Sequence, residues 1–383
     1  MIPLSLYIHI PWCIRKCPYC DFNSHKSPDA LPETAYVDAL LADFDHDLAR
    51  YATCKRDLHS IFIGGGTPSL FSADAYDRLF AQLKQRISFA KDIEITLEAN
   101  PGTVEHGRFS DYFALGINRL SLGIQSFNSD HLQKLGRIHD AKQAHQAIEQ
   151  AQHAGFTNFN LDLMHGLPGQ TVQEALDDVQ QAFSHNPSHL SWYQLTIEPN
   201  TLFHKTQPKL PHEDVMADIE DAGMAMLQSQ HYERYEISAF CRDGQTARHN
   251  LNYWLFGDYY GIGAGAHGKL TLNTPDQIYR TQKQRQPKDY LNTSKPFGID
   301  RPALDTEALI FEFMLNATRL EQDIEHQLFS DRTGLSIEHI YPMLEKAQQL
   351  GLITLQPSSW RITPLGRRFT NDLQTLFLPN TPD

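Results

Sequence analysis

Short apolar runs alternate with longer amphipathic segments along the first half of the chain. Six runs rich in Ile, Leu and aromatic residues have the length and composition of strands. They span residues 4–10, 60–63, 93–97, 119–124, 159–164 and 190–197. Strands that alternate with helices are typical of βα units around a parallel sheet, so the pattern predicts an α/β fold.

Apolar residues three and four positions apart predict the helices between these strands. The amphipathic segments are residues 36–48, 76–87, 109–113, 144–151 and 172–183. Gly116 and Gly155 follow two of them closely and mark their ends. Thr171 and Glu174 have the spacing of a capping box at the start of the last one.

Six βα units are too few to close an eight-fold barrel, so we expect a partial (βα)6 barrel with its functional groups at the carboxyl ends of the strands. After residue 200 the pattern changes to a helix near 215–230 and a glycine- and aromatic-rich stretch at 255–268. A polar segment at 274–302 is the expected linker.

The last part of the chain reads as helices followed by a β-hairpin near 352–362, which predicts a small helical or winged-helix-like domain. The sequence therefore divides into a core at 1–235, an intermediate segment at 236–300 and a C-terminal domain at 301–383. No internal repeat or low-complexity tract interrupts this organisation.

The composition and charge of the chain disfavour several classes of function. The chain has 383 residues, of which 41% are hydrophobic, enough to bury a sizeable core. Its 33 basic and 46 acidic residues give a formal net charge of −13, which disfavours nucleic acid as a partner. No apolar run has the length of a membrane span. The first fourteen residues are apolar but lack the basic start and cleavage site of a secretory signal, so we expect a cytoplasmic protein.

Three of the five cysteines, Cys13, Cys17 and Cys20, lie within eight positions, directly after the first predicted strand. This usage fits a reducing compartment with metal-binding or catalytic thiols. Three thiolates on one turn can hold three irons of a 4Fe–4S cluster and leave the fourth iron open. An open iron can bind the amino and carboxylate groups of a methionine, the arrangement by which iron–sulfur proteins cleave S-adenosylmethionine (SAM).

Structural zinc is the alternative for this cluster, with His9 or His25 as the fourth ligand, because zinc accepts sites of three cysteines and one histidine. The spacing alone leaves iron and zinc open. Cys54 and Cys241 lie far from the cluster in the sequence, and we expect both to be buried or incidental thiols.

Other polar and glycine residues also fall at strand ends. Glycines 64–66 follow the second predicted strand, where the lack of a Cβ lets the backbone approach a ligand, although an ordinary strand-to-helix turn explains them equally well. Glu98 and Gln125 end the third and fourth strands, so their side chains should point into one cavity. A carboxylate and an amide there can bind hydroxyl and positively charged groups.

Seven segments together resemble one known family over nearly the whole chain. They are YIHIPWCIRKCPYCDF at 7–22, FIGGGTPSL at 62–70, LEANP at 97–101, LSLGIQSF at 120–127, GR at 136–137, NLDLMHGLPGQT at 160–171 and RHNLNYW at 248–254. The chain resembles the radical SAM proteins related to oxygen-independent coproporphyrinogen III oxidase and, within that group, is most similar to the heme chaperones.

The resemblance implies a set of SAM-contacting residues at the matching positions. They are Tyr7, Gly65, Gly66, Thr67, Glu98, Gln125, Arg137 and Asp162, with Tyr19 packed on the adenine. Arg137 would pair with a carboxylate, which suits the rigid fork of its guanidinium group. Thr196 and residues 261–267 align with further places where the oxidase meets SAM or a second ligand.

Three features separate the chaperone interpretation from the oxidase interpretation. The oxidases have a fourth cysteine two positions after the third, where this chain has Phe22. They also have an extension before the first strand, whereas the first strand of this chain is expected to begin at Leu4. The segment 249–254 matches the HNxxYW motif of the heme chaperones. His249 is the candidate axial ligand of heme iron, and Tyr253 and Trp254 would pack on the macrocycle.

We therefore expect a protein that binds a 4Fe–4S cluster, SAM and heme, and hands heme to heme-requiring proteins. The family precedent for the acceptors is respiratory enzymes at the membrane. The alternative is an oxidase of coproporphyrinogen III, and a SAM-dependent RNA-modifying enzyme is disfavoured by the net charge. The sequence leaves open whether SAM is cleaved, which protein accepts heme, and whether the chain forms a homodimer.

Overall fold

The computed structural model describes residues 2–51, 56–102, 108–272, 277–299 and 301–379. Cys54 lies outside the described residues, as do residues 274–276 and 300 of the expected linker. No helix within the described ranges is long and apolar enough to cross a membrane.

The first half of the chain forms alternating strands and helices. In chain order they are β1 (Leu4–Ile10), β2 (Trp12–Cys13), β3 (His25–Lys26), α1 (Glu33–Arg50), β4 (Leu58–Gly65), α2 (Ala73–Lys84), β5 (Phe89–Ala99), α3 (Arg108–Ala114), β6 (Arg119–Gln125), α4 (Ser129–Lys134), α5 (Ala141–His153), β7 (Phe159–His165), α6 (Val172–Ser184) and β8 (His189–Gln194). Strands β1, β4, β5, β6, β7 and β8 are neighbours in this order and pair in parallel. The predicted (βα)6 core is confirmed.

The next elements extend this sheet at both edges. They are α7 (Leu202–Thr206), α8 (Glu213–Ser229), β9 (Glu233–Glu236), β10 (Ala239–Cys241), α9 (Arg248–Trp254), β11 (Asp258–Ile262), β12 (His267–Thr271), β13 (Ile278–Gln282) and α10 (Pro287–Tyr290). The described strands give one eleven-stranded sheet in the order β13-β12-β11-β1-β4-β5-β6-β7-β8-β10-β9. Strand β11 is parallel to β1, whereas β12, β13, β10 and β9 pair antiparallel.

Strand β13 and helix α10 lie inside the polar segment that composition predicts as a linker. β13 is an edge strand: Ile278 and Thr281 are buried, and Tyr279 and Arg280 remain partly exposed. A strand with so few buried positions carries little apolar signal, which is why its sequence resembles a linker. The division of the chain near residues 235 and 300 stays a prediction, and the sheet runs across it.

The C-terminal part has its own core. Its elements are α11 (Thr306–Ala317), β14 (Ile324–Glu325), α12 (His326–Thr333), α13 (Tyr341–Gln349), β15 (Ile353–Leu355), β16 (Ser359–Ile362), α14 (Pro364–Arg368) and α15 (Thr370–Thr375). The antiparallel pair β15–β16 is the predicted hairpin, and β14 completes a small sheet. Phe313, Phe329 and Trp360 centre this core, which is joined by Ile278 from β13 and by Phe256 from the turn between α9 and β11.

The strands of the partial barrel are apolar on one face and polar on the other. Leu6, Ile8, Ile61 and Leu97 belong to the buried core that packs under the helices. The alternate positions line a cavity inside the barrel, and many of them are polar: Glu98, Arg119, Ser121, Gln125, Asn160, Asp162, His189, Ser191 and Tyr193. A closed barrel fills this space with layers of branched apolar side chains. The polar interior therefore predicts a binding cavity.

A buried ion cluster fixes the β13 edge of the sheet to α1. The Nζ atom of Lys283 lies 2.7 Å from Asp47 Oδ2 and also contacts Asp43. The hydroxyl of Tyr290 donates to Asp43 Oδ2 at 2.7 Å. All four residues are buried, so Lys283 is the main compensation for the two carboxylates. The Gly263 amide also donates to Asp43 Oδ2 at 3.2 Å, and the half-exposed His46 lies 3.5 Å from Asp47 Oδ1.

Replacing Lys283 by methionine should therefore cost about 3–5 kcal/mol of unfolding free energy, because two buried carboxylates lose their cation. Urea unfolding of the ligand-free protein measures the loss. Lys295→Met is the matched control, since Lys295 forms a largely exposed pair with Asp289, and it should cost less than about 1 kcal/mol. Equal losses in the two variants would contradict this account.

Candidate functional site

One cavity of about 370 Å³ runs through the interior of the partial barrel. It follows the whole length of β6, from Gln125 at the carboxyl end to Arg119 at the amino end. Thirteen of the fifteen residues predicted from the sequence line it: Cys13, Cys17, Tyr19, Cys20, Gly65, Gly66, Thr67, Glu98, Gln125, Arg137, Asp162, His249 and Trp254. Tyr7 and Tyr253, the other two predicted residues, are not among the residues that line the cavity. The cavity lining also omits Thr196 and residues 261–267.

The cysteine loop forms one end of the cavity. The two-residue strands β2 and β3 pair Trp12 with His25 and close the base of the loop. Within it, the Cys20 amide donates to the Cys17 carbonyl at 3.2 Å. Burial raises the pKa of the Cys13 and Cys20 thiols, so binding of a metal centre would release protons there.

The arrangement of the three thiols can be tested against both candidate metals. Among the described residues, no three His, Cys, Asp or Glu side chains are grouped as ligands of a single ion. Three thiols on one loop that lines the cavity can each bind a different iron of a four-iron cluster. Both ring nitrogens of His9 are already engaged, by Tyr7 OH at 2.8 Å and Asn23 O at 2.9 Å. His25 Nε2 also has a protein partner, since it lies 3.2 Å from Arg285 O. These contacts compete with zinc binding by either histidine.

Gly65 and Gly66 are required by the close approach of β1 and of the base of the cysteine loop to the end of β4. A Cβ at Gly65, whose φ is +113°, would lie 2.5 Å from the ring of His9. A Cβ at Gly66 would lie 2.5 Å from the Trp12 carbonyl oxygen. Protein atoms thus occupy the space that these glycines leave free. Their contribution to ligand binding rests on the backbone atoms that line the cavity.

Two buried carboxylates face the cavity. Glu98 Oε2 accepts a hydrogen bond from the Gly65 amide at 3.0 Å. Burial and, secondarily, the charge of Asp162 raise the pKa of Glu98 to about 8. Asp162 accepts from Ser121 Oγ at 3.0 Å and from Asn160 Nδ2 at 2.8 Å, and burial raises its pKa too. The pair can exchange hydrogen bonds with ligand hydroxyls, and a positively charged ligand would favour the ionised form of either carboxyl.

Gln125 and Arg137 complete this end of the cavity. A bulge in β6 places Gln125 at φ +68°, and its Oε1 accepts from Tyr193 OH at 2.9 Å. Bulges redirect side chains in this way next to binding sites. Arg137 donates to the Gly123 carbonyl at 2.8 Å and contacts Asn100, with Nη1 at 3.7 Å from Cys17 Sγ. None of the described carboxylates pairs with Arg137, and its expected pairing with a carboxylate as part of the SAM site stays a prediction.

His249 lies at the opposite end of the cavity, on α9, near the amino ends of the strands. Its Nδ1 is 3.2 Å from Glu94 Oε1, and its ring stacks on Phe62 with centroids 4.0 Å apart. Burial lowers the pKa of His249. Burial also acts to raise the pKa of Glu94, but the hydrogen bond from His249 and the charge of Arg119 hold it at about 2. The pair is therefore a neutral imidazole beside a carboxylate, with Nε2 left as the acceptor nitrogen.

The two aromatic residues of the same motif have different positions. Trp254 lines the cavity, and the Arg319 guanidinium lies 4.2 Å from its ring centroid. Tyr253 meets His249 edge-on with centroids 6.1 Å apart and packs on Tyr259, so it supports the histidine from behind. The expectation that functional groups lie at the carboxyl ends of the strands holds for the cysteine end and fails for His249, because α9 packs under the amino ends.

Sequence reasoning missed the polar residues around His249. Arg119, Asn160, His189, Ser191 and Tyr235 all line the cavity. Asn160 begins the segment 160–171 that resembles the family, but the resemblance gave it no ligand role, and the other four lie outside the matching segments. The signal for Arg119, Asn160, His189 and Ser191 was the alternation of polar and apolar residues along β6, β7 and β8, which marks a polar interior face.

Comparisons with known proteins agree with this geometry. Residues 7–182 match the model of the radical SAM superfamily, and residues 304–369 match the HemN C-terminal domain. The solved structure of coproporphyrinogen III oxidase (HemN) from Escherichia coli superposes with a TM-score of 0.80 at 23% identity, over 98% of this chain and 90% of that one. This likeness concerns the fold. The fold and the cysteine-lined cavity are those of the radical SAM class.

Curated relatives identify the family within this class. The protein named heme chaperone HemW from Haemophilus influenzae is 51% identical, over 98% of both chains. Those of Escherichia coli and Bacillus subtilis are 49% and 33% identical, each over 98% of this chain and over 98% and 99% of their own lengths. The chain belongs to the HemW family of radical SAM proteins.

The raised pKa of Glu98 gives a testable pH dependence. Folding favours the protonated carboxyl, so this contribution to stability is full below the ordinary pKa of 4.5 and is lost as the pH rises through about 8. Glu98→Gln keeps a neutral acceptor for the Gly65 amide at every pH. We expect the thermal midpoint of the ligand-free variant to fall less than that of the wild type between about pH 6 and pH 9.

Exposed Glu149→Gln is the control for that experiment and should follow the wild-type curve. Asp162 titrates in the same cavity and remains in both proteins, so some pH dependence will persist. Parallel curves for Glu98→Gln and the wild type would show that Glu98 is ionised in the folded protein.

Proposed function

We propose that this protein is a cytoplasmic heme chaperone that binds heme together with a SAM-ligated 4Fe–4S cluster and passes heme to heme-requiring respiratory proteins. The names of its full-length relatives support heme as the ligand. The observation that carries the proposal is the His249–Glu94 pair on the wall of the cavity.

His249 has the properties of an axial ligand. Its imidazole is neutral, its Nδ1–H is held by an ionised carboxylate, and Nε2 is the nitrogen available to iron. A carboxylate on the far nitrogen fixes the tautomer and raises the basicity of the ligand. Phe62 on one face and the edge of Tyr253 hold the ring in place. Trp254 supplies an aromatic surface on the cavity wall.

Cys13, Cys17 and Cys20 would hold the cluster, and the Arg137 guanidinium beside Cys17 would stabilise a thiolate there. Gly65, Gly66, Thr67, Glu98, Gln125 and Asp162 would orient SAM, with Tyr19 beside its adenine. The Tyr7 hydroxyl acts on this site indirectly, through His9. When bound, such a cluster supplies an open iron for SAM and one-electron chemistry.

The oxidase alternative rests on the shared fold, and a likeness at 23% identity says nothing about activity. Phe22, which stands where the oxidases have a fourth cysteine, is 63% exposed at the cavity mouth. An anaerobic assay for product from coproporphyrinogen III distinguishes the two functions. Product formation at a catalytic rate would favour the oxidase.

Replacing Cys13, Cys17 or Cys20 by alanine should abolish the brown colour and broad visible absorption of the anaerobically reconstituted protein, because each thiolate holds one iron. Iron analysis and absorption spectra measure the loss. Cys241→Ala is the matched control, since this buried thiol lies away from the cavity lining. Iron retained at the wild-type level by the triple variant would exclude the cluster assignment.

His249→Ala should weaken heme binding and change the Soret spectrum, because the iron loses its nitrogen ligand. Heme titrations of the reconstituted wild type and variant measure both effects. His165→Ala is the control: His165 is also buried but lies away from the cavity lining, and this variant should bind heme like the wild type. An unchanged affinity and spectrum for His249→Ala would remove the motif from the heme site.

A further inference from the structure

We infer that Arg119 is an anion-binding residue of the cavity and that it pairs with a propionate carboxylate of the bound heme. Arg119 is the first residue of β6, and its side chain reaches the same end of the cavity as His249. The inference rests on the proposed function, because it concerns how the same cavity orients the macrocycle.

The guanidinium of Arg119 has no hydrogen-bond or ion-pair partner among the described residues. Arg119 is 2% exposed, yet it forms no hydrogen bond or ion pair with any described residue, and its Nε is buried without an acceptor. A buried cation without hydrogen-bond partners is costly, so natural proteins pair such groups. Arg119 differs in this respect from Arg319, which pairs with Glu236 at 3.1 Å.

Two acidic groups influence Arg119 through their charge, Glu94 and Asp162, and both already accept hydrogen bonds within the protein. Glu94 Oε1 accepts from both the amide and Nδ1 of His249 at 3.2 Å, and Oε2 accepts from the Arg248 amide at 3.1 Å. Glu94 therefore accepts hydrogen bonds from the first turn of α9 and from the His249 ring. Its charge acts on Arg119 although the two side chains form no hydrogen bond or ion pair.

The other polar neighbours are satisfied by one another. His189 Nδ1 is 2.7 Å from Asn160 Oδ1, and His189 Nε2 is 2.8 Å from Tyr235 OH. Asn250 Nδ2 donates to the same tyrosine hydroxyl at 2.9 Å. This network leaves Arg119 as the one charged group of this end, within the described residues, whose hydrogen-bonding capacity is unused.

A ligand carboxylate fits that capacity. Guanidinium groups bind carboxylates through two parallel hydrogen bonds, and such charge-assisted bonds strengthen away from water. Heme carries propionate carboxylates at one edge of the macrocycle. An arginine that holds a propionate would fix the orientation of the macrocycle relative to His249.

The test compares ferric heme with its dimethyl ester, which keeps the iron and the macrocycle but lacks the negative charges. Soret titrations of the reconstituted wild type should show roughly ten- to hundredfold tighter binding of heme than of the ester. Arg119→Gln should lose most of this preference by weakening heme binding and leaving ester binding nearly unchanged. Arg119→Lys keeps the charge without the fork and should retain part of the preference.

Arg86→Gln is the matched control, because Arg86 pairs with Asp45 on the surface, and it should keep the wild-type preference. Equal affinity of the wild type for heme and ester would overturn the inference while leaving heme binding intact, and so would a full preference in Arg119→Gln. Binding of neither ligand by the wild type would instead refute the proposed function. Should Arg119→Gln fail to fold, the wild type and Arg119→Lys still decide the outcome.

Discussion

The polar lining of the partial barrel is the constraint on which the rest of the structure depends. Polar groups removed from bulk water must be paired within the protein, solvated in a cavity or bound to a ligand. The apolar faces of β1 and β4 to β8 pack under the helices and leave the opposite faces to enclose polar side chains. Most of these form pairs, such as Asp162 with Ser121 and His189 with Asn160. The polar side chains that have no partner among the described residues mark the places where ligands can bind.

The cysteine loop is also held in place by hydrogen bonds between buried polar groups. His9 joins the loop through the Asn23 carbonyl, and Asn23 Nδ2 in turn donates to the Ala264 and Arg285 carbonyls at 2.9 Å. The Tyr36 hydroxyl donates to the His9 carbonyl and accepts from the Ala264 amide, each at 2.8 Å. The glycine-rich segment 261–267 thus supports the loop from outside the cavity, although its resemblance to the oxidase suggested a ligand contact.

Hydrophobic patterning predicted the six parallel strands, because each buries a continuous apolar face. It failed at β13, where an edge position needs few buried residues. Motif resemblance located thirteen of the residues that line the cavity, and strand-end position pointed independently to Glu98 and Gln125. It could not show that His9 fills the space beside Gly65, since that contact arises only when β1 and β4 pair. The role of Arg119 was not predicted, although its position was part of a predicted strand, because no motif distinguished it from other polar residues.

The charges along the cavity suggest why one barrel can hold two different ligands. Toward the cysteine loop, Glu98 and Asp162 offer carboxyl groups that exchange hydrogen bonds with hydroxyl and amino groups, as SAM presents in its ribose and methionyl parts. At the other end, Arg119 pairs with none of the described residues and lies beside the neutral His249, a combination that suits an anionic ligand that also coordinates through a metal. In the proposed arrangement, β6 therefore carries a hydrogen-bonding site for SAM at its carboxyl end, and a cation beside an imidazole ligand for heme at its amino end.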